Sequence, residues 1–595
     1  MRSIARAARP EVERWLARGV AVLLALLVCF PLLGHGYTLS YDMVFVPDPA
    51  LNGRTLGLDG SVPRAVPMDF LVALLARVAP VPLLQQAALL FCVGGAALGA
   101  WRVSPARTLP GAAAAATAYA WSAYVAERLV MGHWSLLLGY ALLPWIVRAC
   151  VVAGREPARI PRAVVLLTAA GAAAAPTSGV LTGVLVLALV WLLPFEARPR
   201  LAVSGAVVVF NLVWALPGAL ATGVLDRSST GVEAFAVSAD TPLGGAVSAL
   251  TGGGVWNHLA QPASRVDTPV SAVITLVLLA AAGLGLAVLL RHRDSDRGRD
   301  GDTRRRVLLV LIGLGLLGLA LAVGSTTEPG RDALASVVAH VPGAGILRDA
   351  QKWLAWWLLL VAYAVGPGLE RLVRAFPTPQ AAFLLVAGAL LPVIALPDLA
   401  AGVAGRLERT DYPEEYAAVA RLLDEQPDEG ALVVVPWHAF RAWPWDDRRT
   451  VLDPWTRMVD RRVVVRDDLE LTSGVVAGED PVAADVGALL AEGRFDAEHL
   501  RALGIRYVLV DRSTAGVPVA DVSGTVLHDG PLLQLTGLGA VTVDPDRPRG
   551  IGFLVAVDLL GAGILTLMLV EFTLAAARRL IRFRPSLSLG GSSNR

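Results

Sequence analysis

Residues 270–290 read VSAVITLVLLAAAGLGLAVLL, residues 291–306 read RHRDSDRGRDGDTRRR, and residues 307–325 read VLLVLIGLGLLGLALAVGS. Each apolar run is long enough to cross a bilayer as a helix, which takes about 20 residues. Lipid offers the backbone no hydrogen bonds, so a helix is the form such a run takes. The block between the runs carries more Arg than Asp, and cationic loops stay on the cytoplasmic side. Two membrane helices joined by a charged cytoplasmic linker are therefore expected here.

The same alternation recurs in both directions along the chain. Further apolar runs lie at 18–36, 81–101, 109–126, 134–153, 163–176, 179–194, 202–224, 353–373, 381–400 and 551–576. The expectation is a bundle of about twelve spans. The runs 163–176 and 179–194 are short and are divided by Pro176-Thr177-Ser178-Gly179. They read as a tight hairpin or as a broken half-crossing. The Arg-rich start and the run from Gly19 to Leu33 lack a convincing small-residue cleavage site, so they read as an uncleaved first helix.

Composition agrees with lipid as the solvent. The 595 residues are 55% apolar and 17% charged, against about 25% charged in soluble domains. Mean hydropathy is +0.58. The net charge of +2 gives no bulk attraction to nucleic acid. The cysteines Cys29, Cys92 and Cys150 all fall in or beside apolar runs, so no disulfide is expected in the polar C-terminal stretch.

The arginine blocks orient the bundle. They are Arg2 to Arg18, Arg102/Arg107, Arg155/Arg159/Arg162, Arg198/Arg200, Arg291 to Arg306, Arg371/Arg374 and Arg578 to Arg584. With twelve spans every block falls on the cytoplasmic side, as do both termini. The other side receives the loops 37–80, 127–133, 225–269 and 326–352 and a polar segment, 402–550. Chemistry is expected there. The organisation is a membrane bundle over 1–401, an extracytoplasmic domain over 402–550, and a last span with a cytoplasmic tail over 551–595.

Segment 402–550 changes register. Glu414 to Glu425, Val482 to Leu490 and Ala497 to Leu503 read as helices. Ala431 to Val435, Arg462 to Val465 and Tyr507 to Val510 read as strands. This predicts a small α/β domain with its own core.

Candidate chemistry follows the outward segments. Asp42 lies just beyond the first span, where it is either a turn residue or a general base at the membrane surface. Asp48, between two prolines, has the same two readings. Residues 67–78 (PMDFLVALLARV) have the spacing of an interfacial helix. The turn from Glu127 to Trp134 holds Arg128 and His133, which suit a phosphate or, for Arg128, a local pair with Glu127. Loop 225–269 offers Asp226, Arg227, Glu233, Asp240, Trp256, His258 and Arg265, with a helical piece at Leu243 to Leu250. Loop 326–352 ends in Arg348-Asp349-Ala350-Gln351-Lys352-Trp353. Lys352 is the single lysine among 52 Lys and Arg residues. Arg348 and Lys352 share one face if the loop enters the span as a helix, and two cations at a membrane surface suit a lipid phosphate. In the polar domain Trp437, Trp443 and Trp445, with carboxylates beside them, either stack on sugar rings or seal the domain against the bundle. The spans carry almost no ionisable groups at mid-depth, unlike ion-coupled transporters.

Gly132-His133-Trp134, Leu143-Pro144-Trp145 and Leu347 to Trp353 resemble segments of the membrane half of actinobacterial arabinofuranosyltransferases, within the GT-C class of integral membrane glycosyltransferases. The resemblance covers roughly residues 15–400. It implies a GT-C-like bundle and inverting transfer of arabinofuranose or mannose from a polyprenyl-phosphate donor to an envelope glycan or glycolipid. It implies Asp42 as the base, with Asp48 in reserve, and Arg348 and Lys352 on the donor phosphate together with Arg128 and His133. Trp256, His258, Trp437, Trp443 and Trp445 are the sugar-binding candidates. Divalent-cation use varies in the class, and the sequence offers no clear metal site. The resemblance does not extend to the long C-terminal carbohydrate-binding modules of the large arabinofuranosyltransferase, and the first loop has no adjacent acidic pair. The alternative is a non-catalytic scaffold, transporter or flippase whose outward domain docks an envelope-assembly protein. The two separate on placement: the transferase reading requires Asp42, Arg348 and Lys352 to converge on one outward cavity.

Overall fold

The computed structural model describes residues 2–59, 64–220, 230–291, 299–426, 430–471, 474–476, 478, 480–514, 522–541 and 551–582. Asp226, Arg227, Arg584 and residues 292–298 of the basic linker lie outside the described residues.

At the centre of the bundle stands the helix Leu354–Leu372. It is apolar all round, as a helix enclosed by others must be, and 15 of its 19 residues are buried. It packs against Leu109–Ala120, Val270–Arg291 and Arg299–Ser325. Gly285 and Gly368 let two of these helices touch, because a Cβ at either would strike a carbonyl of the other helix. Small residues serve membrane helices this way, since burial alone does not drive them together in lipid. The outer helices turn apolar side chains outward: Phe383 is 72% exposed and Leu559 68%. A continuous apolar exterior of this kind belongs in lipid.

Nine helices among the described residues are long and apolar enough to cross a membrane, fewer than the twelve expected. Three expected spans differ. The run 109–126 breaks at Trp121-Ser122 into Leu109–Ala120 and Ala123–Val130, and the Trp121 indole N–H donates to the Leu396 carbonyl at 2.8 Å. The other two, Arg162–Ala174 and Pro176–Leu192, have 13 and 17 residues. At 1.5 Å per residue they reach about 20 and 26 Å, short of a hydrocarbon core of about 30 Å. They lie against one another, joined at Ala175, which is extended ahead of Pro176.

The polar domain is a mixed sheet with helices. Its strand order is Thr525–Asp529, Leu533–Gly537, Ile505–Asp511, Ala431–Val435, Val463–Val464. Ala431–Val435 lies parallel to Ile505–Asp511 and Val463–Val464. Leu432 and Val434 face one core with Tyr416, Trp443 and Trp455. Ala431, Val433 and Val435 face another with Val486 and Leu500. Burial on both faces explains an uninterrupted apolar strand. The helices Glu414–Asp424, Pro481–Ala491 and Ala497–Ala502 fall where the sequence places them.

This domain does not stand apart from loop 37–80. Leu39, Val44 and Val46 sit inside its core, Tyr37–Thr38 pairs antiparallel with Arg409–Thr410, and Tyr41 is bridged to Val451.

Candidate functional site

A cavity of about 1030 Å³ opens where the loops meet the polar domain. All five segments assigned to one side by the arginine blocks contribute to its wall. They supply Asp42, His133, Trp256 and His258, Arg348 and Lys352, and, from the domain, residues such as Phe440 and Arg457.

The backbone before Asp42 is tightly constrained. Gly132 has φ +71, and a Cβ there would strike the backbone of Ser40 and Met43, so the turn after Ala123–Val130 can press against the loop only with glycine. The Asp42 N–H donates to the Met131 carbonyl at 3.3 Å, and the Ser40 hydroxyl donates to the Val130 carbonyl at 2.6 Å. Tyr41 is left-handed, with φ 43, an uncommon conformation for a bulky residue.

From Asp42 a chain of polar contacts runs inward. His133 Nε2 lies 3.2 Å from Asp42 Oδ2, and Arg128 Nη1 lies 3.0 Å from His133 Nδ1. Both Arg128 Nη atoms donate to Asp349, at 2.7 and 2.8 Å. Lys352 Nζ stands 3.6 Å from the same carboxylate. Burial alone would raise the Asp42 carboxyl, but the hydrogen bond to His133 and the charges of Lys352 and Arg64 outweigh it and hold it below its ordinary value. Asp349 is likewise opposed by burial, yet the Arg128 charge, reinforced by Lys352, keeps it well below the usual carboxylate range. The site thus presents two carboxylates that stay ionised among cations.

A second polar chain starts one residue earlier. The buried Glu127 accepts from Gln351 Nε2 at 2.6 Å and from the backbone N–H groups of Gly254 and Val255, each at 3.2 Å. Burial, with Asp240 beside it, pushes the Glu127 carboxyl well up. Asp240 accepts from Arg265 at 2.6 and 2.9 Å. Burial opposes its ionisation, but Arg265 prevails and brings it to about 2. Glu127 and Arg128 therefore do not pair with each other. They fasten loop 225–269 and the segment 349–351 to the helix between them.

The sequence candidates divide accordingly. Asp42, His133, Trp256, His258, Arg348 and Lys352 line the cavity. Arg348 and Lys352 do so from two 3-10 turns, Ala344–Leu347 with Arg348 at its end and Ala350–Trp353, and not from one helix face. Arg128 is fully buried and committed to Asp349, so it has no surface to offer a phosphate. Asp48 points to solvent, 3.6 Å from Arg77. Trp443 is buried, its indole N–H donating to Asp511 at 2.6 Å, and Trp445 stacks on it at 5.0 Å. Trp443 lies in the domain core and Trp445 packs against it partly buried, and neither ring lines the cavity. Trp437 packs against the other core, away from the cavity. Trp256 lies edge-on to Phe235 at 5.1 Å, with both rings on the wall. Asp349, Arg54 and Arg64 line the cavity without having been assigned a role; Asp349 stands inside the segment that drew attention to Lys352. Among the described residues no group of three or more His, Cys, Asp or Glu is arranged to hold a metal ion.

No protein-family profile matches the chain, and no curated protein matches its sequence. Solved structures do match. A mutant form of arabinofuranosyltransferase AftD from Mycobacteria, determined by single-particle cryo-EM, superposes with a TM-score of 0.51 at 18% identity, over 89% of this chain and 42% of that one. The fold is shared with a mycobacterial arabinofuranosyltransferase. A further AftD structure gives a TM-score of 0.49 at 20% identity, over 89% and 40% of the two chains. The chain spans about two fifths of the length of AftD.

Proposed function

We propose that this protein is a membrane glycosyltransferase of the GT-C type, moving arabinofuranose or mannose from a polyprenyl-phosphate donor to a hydroxyl of an envelope glycan or glycolipid outside the cytoplasm. The observation that carries this reading is the presence of Asp42, Arg348 and Lys352 on the wall of one cavity, built from the segments that the charge pattern assigns to the outside. A lipid-linked donor suits that side, where nucleotide sugars are not supplied, and suits cations at the mouth of a span.

In this reaction the ionised Asp42 takes the proton of the acceptor hydroxyl as its oxygen bonds to the anomeric carbon. The bond from that carbon to the phosphate oxygen breaks, its electron pair leaving with polyprenyl phosphate. Attack opposite the leaving group inverts the anomeric centre. Lys352 and Arg348 stabilise the charge that grows on the departing phosphate. Trp256 and His258 supply an apolar face and a polar edge for a sugar ring.

The test is transfer by the purified protein in lipid nanodiscs, using radiolabelled polyprenyl-phosphate arabinose or mannose and a panel of envelope glycans and glycolipids. The expected result is labelled product with one polyprenyl phosphate released per sugar. Absence of transfer from both donors to every acceptor would contradict the proposal and favour a scaffold or a transporter.

A further inference from the structure

Arg128 has donors and no acceptor. Its Nη1 lies 3.0 Å from His133 Nδ1, so the two form a hydrogen bond only when Nδ1 is unprotonated and accepts. The ring proton then sits on Nε2, 3.2 Å from Asp42 Oδ2, where it donates to the carboxylate. One species satisfies both contacts, the neutral Nε2–H tautomer. An imidazolium would set an N–H of its own against the N–H of Arg128. Arg128 cannot turn aside, because both of its Nη atoms are held by Asp349 and its side chain is fully buried.

The charged groups around the ring agree. Asp42, Asp349, Arg128 and Lys352 face His133. Burial first, with Arg128 and Lys352 adding to it, holds the imidazole below its ordinary value despite the opposing pull of Asp42.

Resting on the transfer reaction proposed above, we propose that His133 is a positioning residue, locked by Arg128 as the neutral Nε2–H tautomer so that its N–H fixes one oxygen of Asp42 and leaves the other to face the acceptor hydroxyl. His133 then neither takes the proton that Asp42 abstracts nor binds the donor phosphate. Its Nε2 already carries a proton, its Nδ1 is blocked by Arg128, and it has no charge to offer an anion. The chain Asp349–Arg128–His133–Asp42 ties the base to the segment that carries Lys352, so the two ends of the reacting centre are set by one continuous set of contacts.

The experiment compares kcat and donor KM across pH for wild type, His133→Phe and His133→Gln, with folding checked by size exclusion and thermal unfolding. Phenylalanine keeps the ring and loses both polar contacts. Glutamine can turn its amide N–H toward Asp42 and its carbonyl toward Arg128. If His133→Phe does not fold, His133→Asn replaces it, because its amide reaches Arg128 and stops short of Asp42. His133→Phe is expected to lose about 100-fold in kcat, the scale of a misplaced reacting group, with donor KM unchanged. His133→Gln is expected to recover most of that loss. The base works when ionised, and His133 lowers its pKa, so the acid limb moves to higher pH in His133→Phe; Lys352 and Arg64 still face Asp42 and keep part of the effect. A raised donor KM at unchanged kcat would make His133 a phosphate ligand and overturn the inference. Loss in His133→Gln as deep as in His133→Phe would make the ring a proton carrier and overturn it too, as would a fully active His133→Phe. Each of these leaves the transfer reaction standing, whereas failure of wild type with every donor removes both.

Discussion

The Tyr41 backbone N–H donates to the Thr450 carbonyl at 2.6 Å, and the Tyr41 carbonyl accepts from the Leu452 N–H at 2.9 Å. The residue before the candidate base is thus held by an isolated parallel bridge against the strand Thr450–Leu452 of the polar domain. A left-handed tyrosine costs about 1–2 kcal/mol, and these two bonds help to hold it there. The polar domain therefore does more than roof the cavity, because its edge sets where the Asp42 carboxylate stands.

Breaking that edge should cost activity more than stability. Leu452→Pro removes the N–H that Tyr41 accepts, whereas Leu452→Val keeps it. The expected outcome is a loss of about 10- to 100-fold in kcat for the proline variant and less than about threefold for the valine variant, the milder effect following from a hydrophobic swap of similar shape. Initial transfer rates on folded protein check this.

The Arg128–Asp349 pair should be the most costly contact in the site to break from one side. Removing one partner of a buried ion pair leaves the other charge stranded, at about 3–5 kcal/mol. Arg128→Met and Asp349→Leu are each expected to lose stability on that scale, and the double variant to regain much of it. Thermal and denaturant unfolding in detergent measure the three. Losses that simply add would contradict the pairing.

Lys352 should act on the departing phosphate and not on the fold. Its ammonium is partly exposed to the cavity and stands 3.6 Å from Asp349. Lys352→Ala is expected to lower kcat/KM for the donor by about 100- to 1000-fold, the scale of removing one transition-state donor. Lys352→Arg should recover only part of this, since a planar fork does not replace a compact ammonium. Unfolding midpoints should stay close to wild type.

A pH effect on stability should come from Asp446. Burial raises this carboxyl from 3.8 to about 6, against the pull of Arg449. The folded state then binds more protons than the unfolded state between roughly pH 4 and 6, so this group's penalty is full above pH 6 and fades as pH falls through that window. Relative to Asp446→Asn, wild type should gain stability between pH 7 and pH 4.5. Denaturant midpoints of the two proteins at several pH values provide the check, and a constant difference would contradict it.

Much of this was legible in the sequence because it is local. The strand Ala431–Val435 is five apolar residues in a row, and the helices around it follow from periodicity alone. The arginine blocks assign five segments to one side, and those five meet around one cavity. Pairing over long separations left no local mark. Arg128 meets Asp349 across 221 positions, and no spacing announces that a cation beside a turn is already taken. Trp443 and Trp445 look like a sugar platform in one dimension; only the folded sheet puts Asp511 under the Trp443 indole. Nine of the twelve expected spans are single helices long enough to cross among the described residues; the other three are a hydrophobic run interrupted at Trp121-Ser122 and two shorter helices.

The most direct measurement is transfer from radiolabelled polyprenyl-phosphate sugar by wild type and Asp42→Asn, at equal amounts of folded protein and saturating donor. The substitution keeps the size of the side chain and an oxygen that can accept from His133, and removes the negative charge and with it the capacity to take a proton. Transfer by wild type with a loss of about 100- to 10,000-fold in Asp42→Asn, the range for a general base, is the predicted result. Equal transfer by the two proteins would contradict the assignment of Asp42 as the base on which the account rests.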